Sequence, residues 1–302
     1  MASVCSSGIS GGNAALAKSQ PQNRFSRADM KPFRGVAYCC ALMVCAVFCF
    51  QACAQVMLTA GGIVSESSLS SKYYIQARSP ERLSWVSDPA DPSRRVLQIR
   101  LHREDGQVAG GLRAEIVPRG DAAANGPSTR WYGFEFYVPD EWVPIPPAVV
   151  VAQLHGNDHV YLAPPLSLQI QEGRLFLMTQ YNMRGARSAD PPKTEGSVRR
   201  YPWVAPLKKG KWYRWVVRTQ WSSTPGEGEL DVWIDDELIL SERGRPNTYD
   251  TDGRPGSFNY AKAGLYAPAG IAELESISIL TRGILLGRGD VRYEAFVADF
   301  SR

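Results

Sequence analysis

Residues 166–180 read LSLQIQEGRLFLMTQ, two patterned segments joined by a Glu-Gly pair. In residues 166–171 apolar and polar side chains alternate, which is the period of a half-buried β-strand. Residues 174–180 form a second segment of strand-forming residues, and Glu172-Gly173 suits the two-residue turn of a hairpin. The stretch therefore predicts an antiparallel hairpin. Its polar face carries Ser167, Gln169 and Gln171.

Segments with the same pattern continue through the chain after residue 55, and almost none has a helical period. Turn residues separate them, and together they give about ten strands without an internal repeat. They cover residues 96–102, 131–138, 149–155, 212–221, 230–240 (turning at Asp235-Asp236), 260–266 and 275–281. We therefore expect an all-β fold, a concanavalin-like β-jelly-roll sandwich of two antiparallel sheets.

Residues 183–202 interrupt this pattern. They are polar and contain Pro191-Pro192, so we expect a long surface loop. Their basic residues are Arg184, Arg187, Lys193, Arg199 and Arg200. Such a loop is either a basic lid over an anionic substrate or a solvated connection, and the sequence leaves both open.

The start of the chain has the features of an export signal. Residues 36–50 are apolar, follow Lys31 and Arg34, and lead into Ala52-Cys53-Ala54. A basic start, a short apolar stretch and a small-residue site predict a signal peptide over residues 30–54, cleaved after Ala54. The protein is then exported to the periplasm or the medium, without stable membrane association after cleavage.

Two further expectations concern the same region. Because Met30 directly precedes the signal, residues 1–29 are a disordered leader or the product of a mis-assigned start. Lipidation at Cys53 is an alternative, although residues 50–52 lack the usual aliphatic residue three places upstream. Residues 55–302 then form a single domain, which we expect to be a monomer.

Removing residues 1–54 changes what the composition implies. All six cysteines lie in the first 53 residues, so the remaining chain offers no disulfide, thiolate ligand or thiol nucleophile. The chain has 34 basic and 30 acidic residues. Five of the basic residues and one of the acidic residues lie in residues 1–54, so 29 of each remain. A near-neutral domain gives no support for nucleic-acid binding.

Four strands present polar or ionisable side chains on one face, because residues i and i+2 of a strand share a face. The first pair is Arg113 and Glu115, and the second is Gln153 and His155. A third strand contributes Ser167, Gln169 and Gln171. The fourth carries Tyr260, Lys262 and Tyr266.

This set of residue types favours elimination over hydrolysis. Glycosidases need paired carboxylates, whereas these strands offer mainly Arg, Gln, His, Lys and Tyr. Elimination at a uronic acid removes the C5 proton and expels the 4-O-linked sugar. Arg and Gln can neutralise the uronate carboxylate, His or an ionised Tyr can take the proton, and a Tyr hydroxyl can protonate the leaving oxygen.

The three signature segments resemble those of polysaccharide lyases in the alginate lyase, glucuronan lyase and heparin lyase I-like β-jelly-roll group. That group carries an Arg-x-Glu strand, a Gln-x-His strand and a Tyr-x-Lys-Ala-Gly-x-Tyr strand in this order. The matching residues here are Arg113-Ala114-Glu115, Gln153-Leu154-His155 and Tyr260-Ala261-Lys262-Ala263-Gly264-Leu265-Tyr266. The resemblance covers residues 110–266, about half the chain.

The resemblance implies a lyase that cleaves a uronic-acid-containing polysaccharide by β-elimination. Arg113 and Gln153 would neutralise the carboxylate, His155 would be the base for one epimer, and Tyr266 would be the acid or both base and acid. The substrate-binding residues would be Glu115, which also orients its neighbours, together with Gln169, Tyr260 and Lys262. No metal or other cofactor is implied. Calcium occurs in this group, but no acidic cluster indicates it here.

One position departs from the group. Alginate lyases usually carry a second Arg two residues after the Glu, where this chain has Val117. We therefore expect glucuronan-like or glycosaminoglycan-like substrates before alginate.

Two other classes of protein remain open. A carbohydrate-binding β-sandwich would need aromatic platforms but not this polar set. A jelly-roll glycoside hydrolase would need an acidic pair, for which residues 229–235 (ELDVWID) have Trp233 at the place of the third acid.

Overall fold

The computed structural model describes residues 61–301 apart from residues 109, 122–126, 157–162, 183–196, 250–257, 269–270 and 272–273. These residues belong to one compact unit, Cys53–Arg302. The expected leader, signal peptide and cysteines lie outside the described residues, as do residues 183–196 of the expected basic loop. No helix in the described ranges is long and apolar enough to cross a membrane.

Strands dominate the described residues. They are β1 (Gly61–Ile63), β2 (Tyr73–Ala77), β3 (Leu83–Asp88), β4 (Asp91–His102), β5 (Leu112–Pro118), β6 (Arg130–Val138), β7 (Val149–His155), β8 (Leu166–Gln171), β9 (Arg174–Asn182), β10 (Ser197–Pro206), β11 (Lys211–Gln220), β12 (Glu229–Ile234), β13 (Glu237–Arg243), β14 (Tyr260–Ala267) and β15 (Ser276–Arg288). The helices are short: α1 (Leu69–Lys72), α2 (Tyr293–Val297) and the 3₁₀ turns Pro80–Arg82 and Ala298–Ser301.

The strands form two antiparallel sheets. The first, which we call the site sheet, has seven strands in the order β10-β9-β8-β7-β14-β5-β2. The second has eight strands in the order β13-β12-β11-β6-β15-β4-β3, with β1 beside β15. One continuous hydrophobic core is built from the inner faces of both. This confirms the expected all-β jelly-roll sandwich.

The alternation read from the sequence is confirmed in the core. Leu166, Leu168 and Ile170 are buried between the sheets, so the polar residues of β8 lie on the opposite face of the site sheet. At the hairpin, Glu172 and Gly173 both have positive φ, 49° and 74°. Positive φ at both central residues is the geometry of the turns that match strand twist.

Four strands were missed: β1, β2, β3 and β10. The expectation of a loop was wrong for residues 197–202, which belong to β10. Strands β2, β3 and β10 lie at sheet edges, where polar and charged side chains dilute the hydrophobic pattern. Pro202 fits because the pairing of β10 with β9 shifts between Arg200 and Trp203, and prolines are tolerated at such irregularities.

Gly264 allows β14 to lie close to β5 in the middle of the site sheet. Its φ is 139°, and an added Cβ would overlap the Ala114 carbonyl oxygen and lie 2.7 Å from Glu115 Cα. The pairing of β14 with β7 also shifts between Ala263 and Tyr266. Gly264 therefore adopts a backbone conformation that residues with a Cβ rarely adopt, and it also lies close to β5.

We expect Gly264→Ala to destabilise the protein by about 3 kcal/mol or more, since it adds backbone strain and a clash with β5. The matched control is Gly173→Ala, because Gly173 also has positive φ but nothing within 4 Å of the added Cβ. The control should cost only about 1–2 kcal/mol. Urea unfolding of both variants measures the difference, and equal losses would contradict the close approach.

Candidate active site

Three neighbouring strands bring the signature residues together on the outer face of the site sheet. Along the pair β5–β14, Tyr266 lies opposite Arg113. Along the pair β14–β7, Lys262 lies opposite Gln153, and Tyr260 lies opposite His155. Residues directly opposite in antiparallel strands have Cα atoms about 4.5–5.5 Å apart. These six side chains, which lie far apart in the sequence, therefore form one group.

A buried carboxylate lies at the centre of this group. Glu115 is 1% exposed, and its Oε1 accepts a hydrogen bond from Gln153 Nε2 at 2.5 Å. Its Oε2 lies 3.2 Å from Arg113 Nη1. The same Nη1 donates to Gln76 Oε1 at 3.1 Å. Glu115 and Gln76 thus orient the arginine and the amide whose role the resemblance implies.

The imidazole of His155 is oriented by the backbone. Its Nδ1 lies 2.6 Å from the Gly156 carbonyl oxygen. A carbonyl only accepts, so Nδ1 carries the proton, and the lone pair of the neutral ring is on Nε2. The ring also packs against Tyr260, with centroids 5.4 Å apart. This tautomer is the one in which Nε2 can accept a proton.

Tyr266 is held between a cation and a glycine. The Arg113 guanidinium carbon lies 4.6 Å from the centroid of its ring. On another side, a Cβ at Gly111 would come within 2.5 Å of the ring. The glycine therefore provides the room that the tyrosine ring occupies. Tyr266 is only half-buried, which leaves part of the side chain open to a ligand.

The remaining residues line the same face. Lys262 is 4% exposed, and its Nζ lies 5.2 Å from the centroid of the Tyr260 ring. Gln169 is buried, and its Nε2 donates to Ser167 Oγ at 2.8 Å and contacts Met178 Sδ at 3.4 Å. Gln169 thus lies one strand beyond the central group, beside β7.

Burial and charge give the face its character. Polar side chains on the outside of a sheet are normally solvated, yet Glu115, Gln153 and Lys262 are almost fully buried. The face is therefore recessed. Among the described residues of this face, the cations Arg113 and Lys262 lie near one carboxylate, that of Glu115. In the described part of the chain, no group of three or more His, Cys, Asp or Glu could hold a metal ion.

Gln76 is a site residue that the sequence reading missed. Residues 73–77 read YYIQA, a short alternating segment, but β2 is an edge strand whose Tyr74 and Ile75 are both exposed. Only Tyr73 of this strand is fully buried in the core, so the segment gave too weak a pattern to identify. The aromatic pair at its start was the available signal.

The acidic residues considered for a hydrolase lie elsewhere. Leu230 and Val232 point into the core, so Glu229 and Asp231 lie on the outer face of the eight-stranded sheet. There they form salt bridges with Arg218 and Arg243. A carboxylate pair neutralised by arginines, on the sheet opposite the recess, does not form a glycosidase site.

Comparison with known proteins decides the family. The sequence model of the family described as polysaccharide lyase matches residues 64–283. The chain belongs to this family. As a polysaccharide lyase, the protein is an enzyme that cleaves polysaccharides. The matched range contains all the residues of the recess described above. No curated protein matches its sequence.

Solved structures resemble this lyase in fold. One is the endo-β-1,4-glucuronan lyase of the fungus Trichoderma reesei, at TM-score 0.59 and 18% identity, covering 76% of this chain and 95% of that one. Another is the family 7 alginate lyase A1-II′ with its product, at TM-score 0.53 and 15% identity, covering 76% and 100%. At such identities the likeness concerns the sandwich fold, not the residues of the site.

Proposed function

We propose that this lyase cleaves a uronic-acid-containing polysaccharide by β-elimination in the recess of the site sheet. One observation carries the proposal: Arg113, Gln153, His155 and Tyr266 lie on one face of three adjacent strands. The set supplies a group for every step of the elimination, from neutralisation of the carboxylate to proton transfer. A binding module would have no need for this set.

Neutralisation of the carboxylate falls to Arg113 and Gln153. The C5 proton of a uronate is weakly acidic because the adjacent carboxylate is already negative. A guanidinium has five donors and a primary amide has two hydrogens, so both groups keep donors after bonding Glu115 and Gln76. Hydrogen bonds from these groups let charge move into the carboxylate as the proton leaves. Lys262 adds positive charge beside them.

Proton transfer falls to His155 and Tyr266, which approach the substrate from different ends. Tyr266 pairs with Val150, five residues along β7 from His155. The two Cα atoms are therefore about 16 Å apart along the strand direction. A sugar ring fits between the side chains, above Gly264, where the face has no side chain.

This separation gives each residue a role that depends on the sugar epimer. When the C5 proton and the C4 oxygen lie on opposite sides of the ring, His155 takes the proton and Tyr266 protonates the leaving oxygen. When both lie on the same side, Tyr266 serves as base and acid in turn. Elimination breaks the C5–H and C4–O bonds and forms the C4–C5 double bond, so no external reactant is needed.

The substrate class follows from the charges of the recess. Val117 lies where alginate lyases usually carry a second arginine, and it is 8% exposed and apolar. Glucuronan-like and glycosaminoglycan-like polymers are therefore favoured over alginate. The same proposal includes export to the periplasm or the medium, because the substrate is a polymer and residues 30–54 have the features of a signal peptide.

The direct test mixes the purified domain with glucuronan, polymannuronate, polyguluronate, heparin, heparan sulfate and hyaluronan, and follows ultraviolet absorbance. Elimination leaves an unsaturated uronate that absorbs, whereas hydrolysis and binding leave none. We expect absorbance to rise with glucuronan or a glycosaminoglycan. A flat signal with all six polymers, with binding still detectable, would refute elimination and favour a binding module.

We expect His155→Ala and Tyr266→Phe each to lower the turnover of the susceptible polymer by about 10²- to 10⁴-fold, since each removes a proton-transfer group. Matched controls are His102→Ala and Tyr137→Phe, which change the same residue types on the eight-stranded sheet. Thermal unfolding checks the fold of all four. Near-wild-type turnover of either site variant would remove that residue from the mechanism.

A further inference from the structure

The outer face of the site sheet extends beyond the reacting residues to an exposed aromatic residue at its edge. Tyr74 on β2 is 55% exposed. Its strand neighbour Gln76 accepts the hydrogen bond from Arg113, so alternate residues of β2 face the recess, and Tyr74 is one of them. The tyrosine therefore belongs to the same surface as the proposed reaction site.

A row of residues connects this tyrosine to the centre of the site, at right angles to the strands. Register places Tyr74 opposite Val117, and Lys262 lies in the adjoining position of β14. From the edge inward the row holds Tyr74, Val117, Lys262, Gln153, Ser167 and Met178. It crosses six strands, about 24 Å. That length suits several linked sugars better than a single ring.

An arginine lies on the exposed ring. Arg119 follows the end of β5, and its guanidinium carbon is 3.8 Å from the centroid of Tyr74. Its Nε donates to the Ser70 carbonyl oxygen at 3.1 Å, and its backbone amide donates to the Lys72 carbonyl oxygen. A guanidinium stacked flat on a ring keeps its outer edge available for a carboxylate. No carboxylate of the described residues forms a salt bridge with Arg119.

We propose that Arg119, held by Tyr74, is a specificity-determining subsite that binds the carboxylate of a second uronate, farther along the polymer than the sugar that loses its proton. The subsite rests on the proposed elimination chemistry. Three strand spacings separate Tyr74 from Gln153, about 14 Å, which is too far for the same carboxylate to contact both Arg119 and Gln153. In this proposal the guanidinium of Arg119 takes the place of the second arginine of alginate lyases, at whose position this chain has Val117.

The subsite predicts an effect on binding that depends on substrate length. Arg119→Gln should raise KM for long polyuronate about fivefold, since an exposed charged contact contributes up to about 1 kcal/mol. It should leave kcat unchanged. The shortest oligosaccharide that the enzyme cleaves should show no change in either constant. The effect on the polymer should shrink at high salt, because exposed charges are screened.

Companion variants separate the charge from the fold. Arg119→Lys keeps the charge and should restore part of the affinity. The matched control is Arg95→Gln, an arginine of the eight-stranded sheet that also donates to a backbone carbonyl. It should change neither constant. A misfolded variant would lose turnover of short and long substrates alike, and Arg119→Lys would then decide.

The outcomes are distinguishable. A rise in KM confined to long polyuronate supports the subsite. Unchanged KM for Arg119→Gln on a polymer that the wild type cleaves overturns the subsite and leaves the elimination chemistry standing. A wild-type enzyme that cleaves no uronate polymer overturns the proposed function and, with it, the subsite.

Discussion

The buried carboxylate of Glu115 is the constraint on which the site depends. A carboxylate that is 1% exposed is stable only when it is paired and hydrogen-bonded, and here Arg113 and Gln153 supply those contacts. Removing one partner of such a buried pair costs about 3–5 kcal/mol. The need to satisfy one charge therefore links β5 to β7, and the contact from Arg113 to Gln76 extends the link to β2.

The same constraint prepares the recess for an anionic substrate. Groups that must bind a carboxylate are most effective when the protein holds them in place beforehand. Glu115 holds Arg113 and Gln153, the Gly156 carbonyl sets the tautomer of His155, and Gly111 leaves the space for Tyr266. These contacts come from the fold alone. Little reorganisation is left for the moment when the substrate binds.

The sequence predicted which residues face the recess, but not how they meet. Alternation alone placed Gln153 and His155 opposite Leu154, because side-chain direction in a strand is a local property. The pairing of Tyr266 with Arg113 joins residues 153 positions apart, and the register of β14 with β7 shifts beside Gly264. No local pattern reveals either feature. Gln76 and Tyr74 were missed because Tyr73 is the only fully buried residue of their short edge strand, which leaves the alternation weak.

The most direct test is a crystal structure of Tyr266→Phe, which keeps the ring beside Gly111 but lacks the hydroxyl, bound to an oligosaccharide of the polymer that the wild type cleaves. We predict one uronate carboxylate between Arg113 and Gln153, with C5 between His155 and residue 266. We also predict that the polysaccharide chain crosses the strands. Sugars bound elsewhere, or a carboxylate that contacts neither Arg113 nor Gln153, would contradict it.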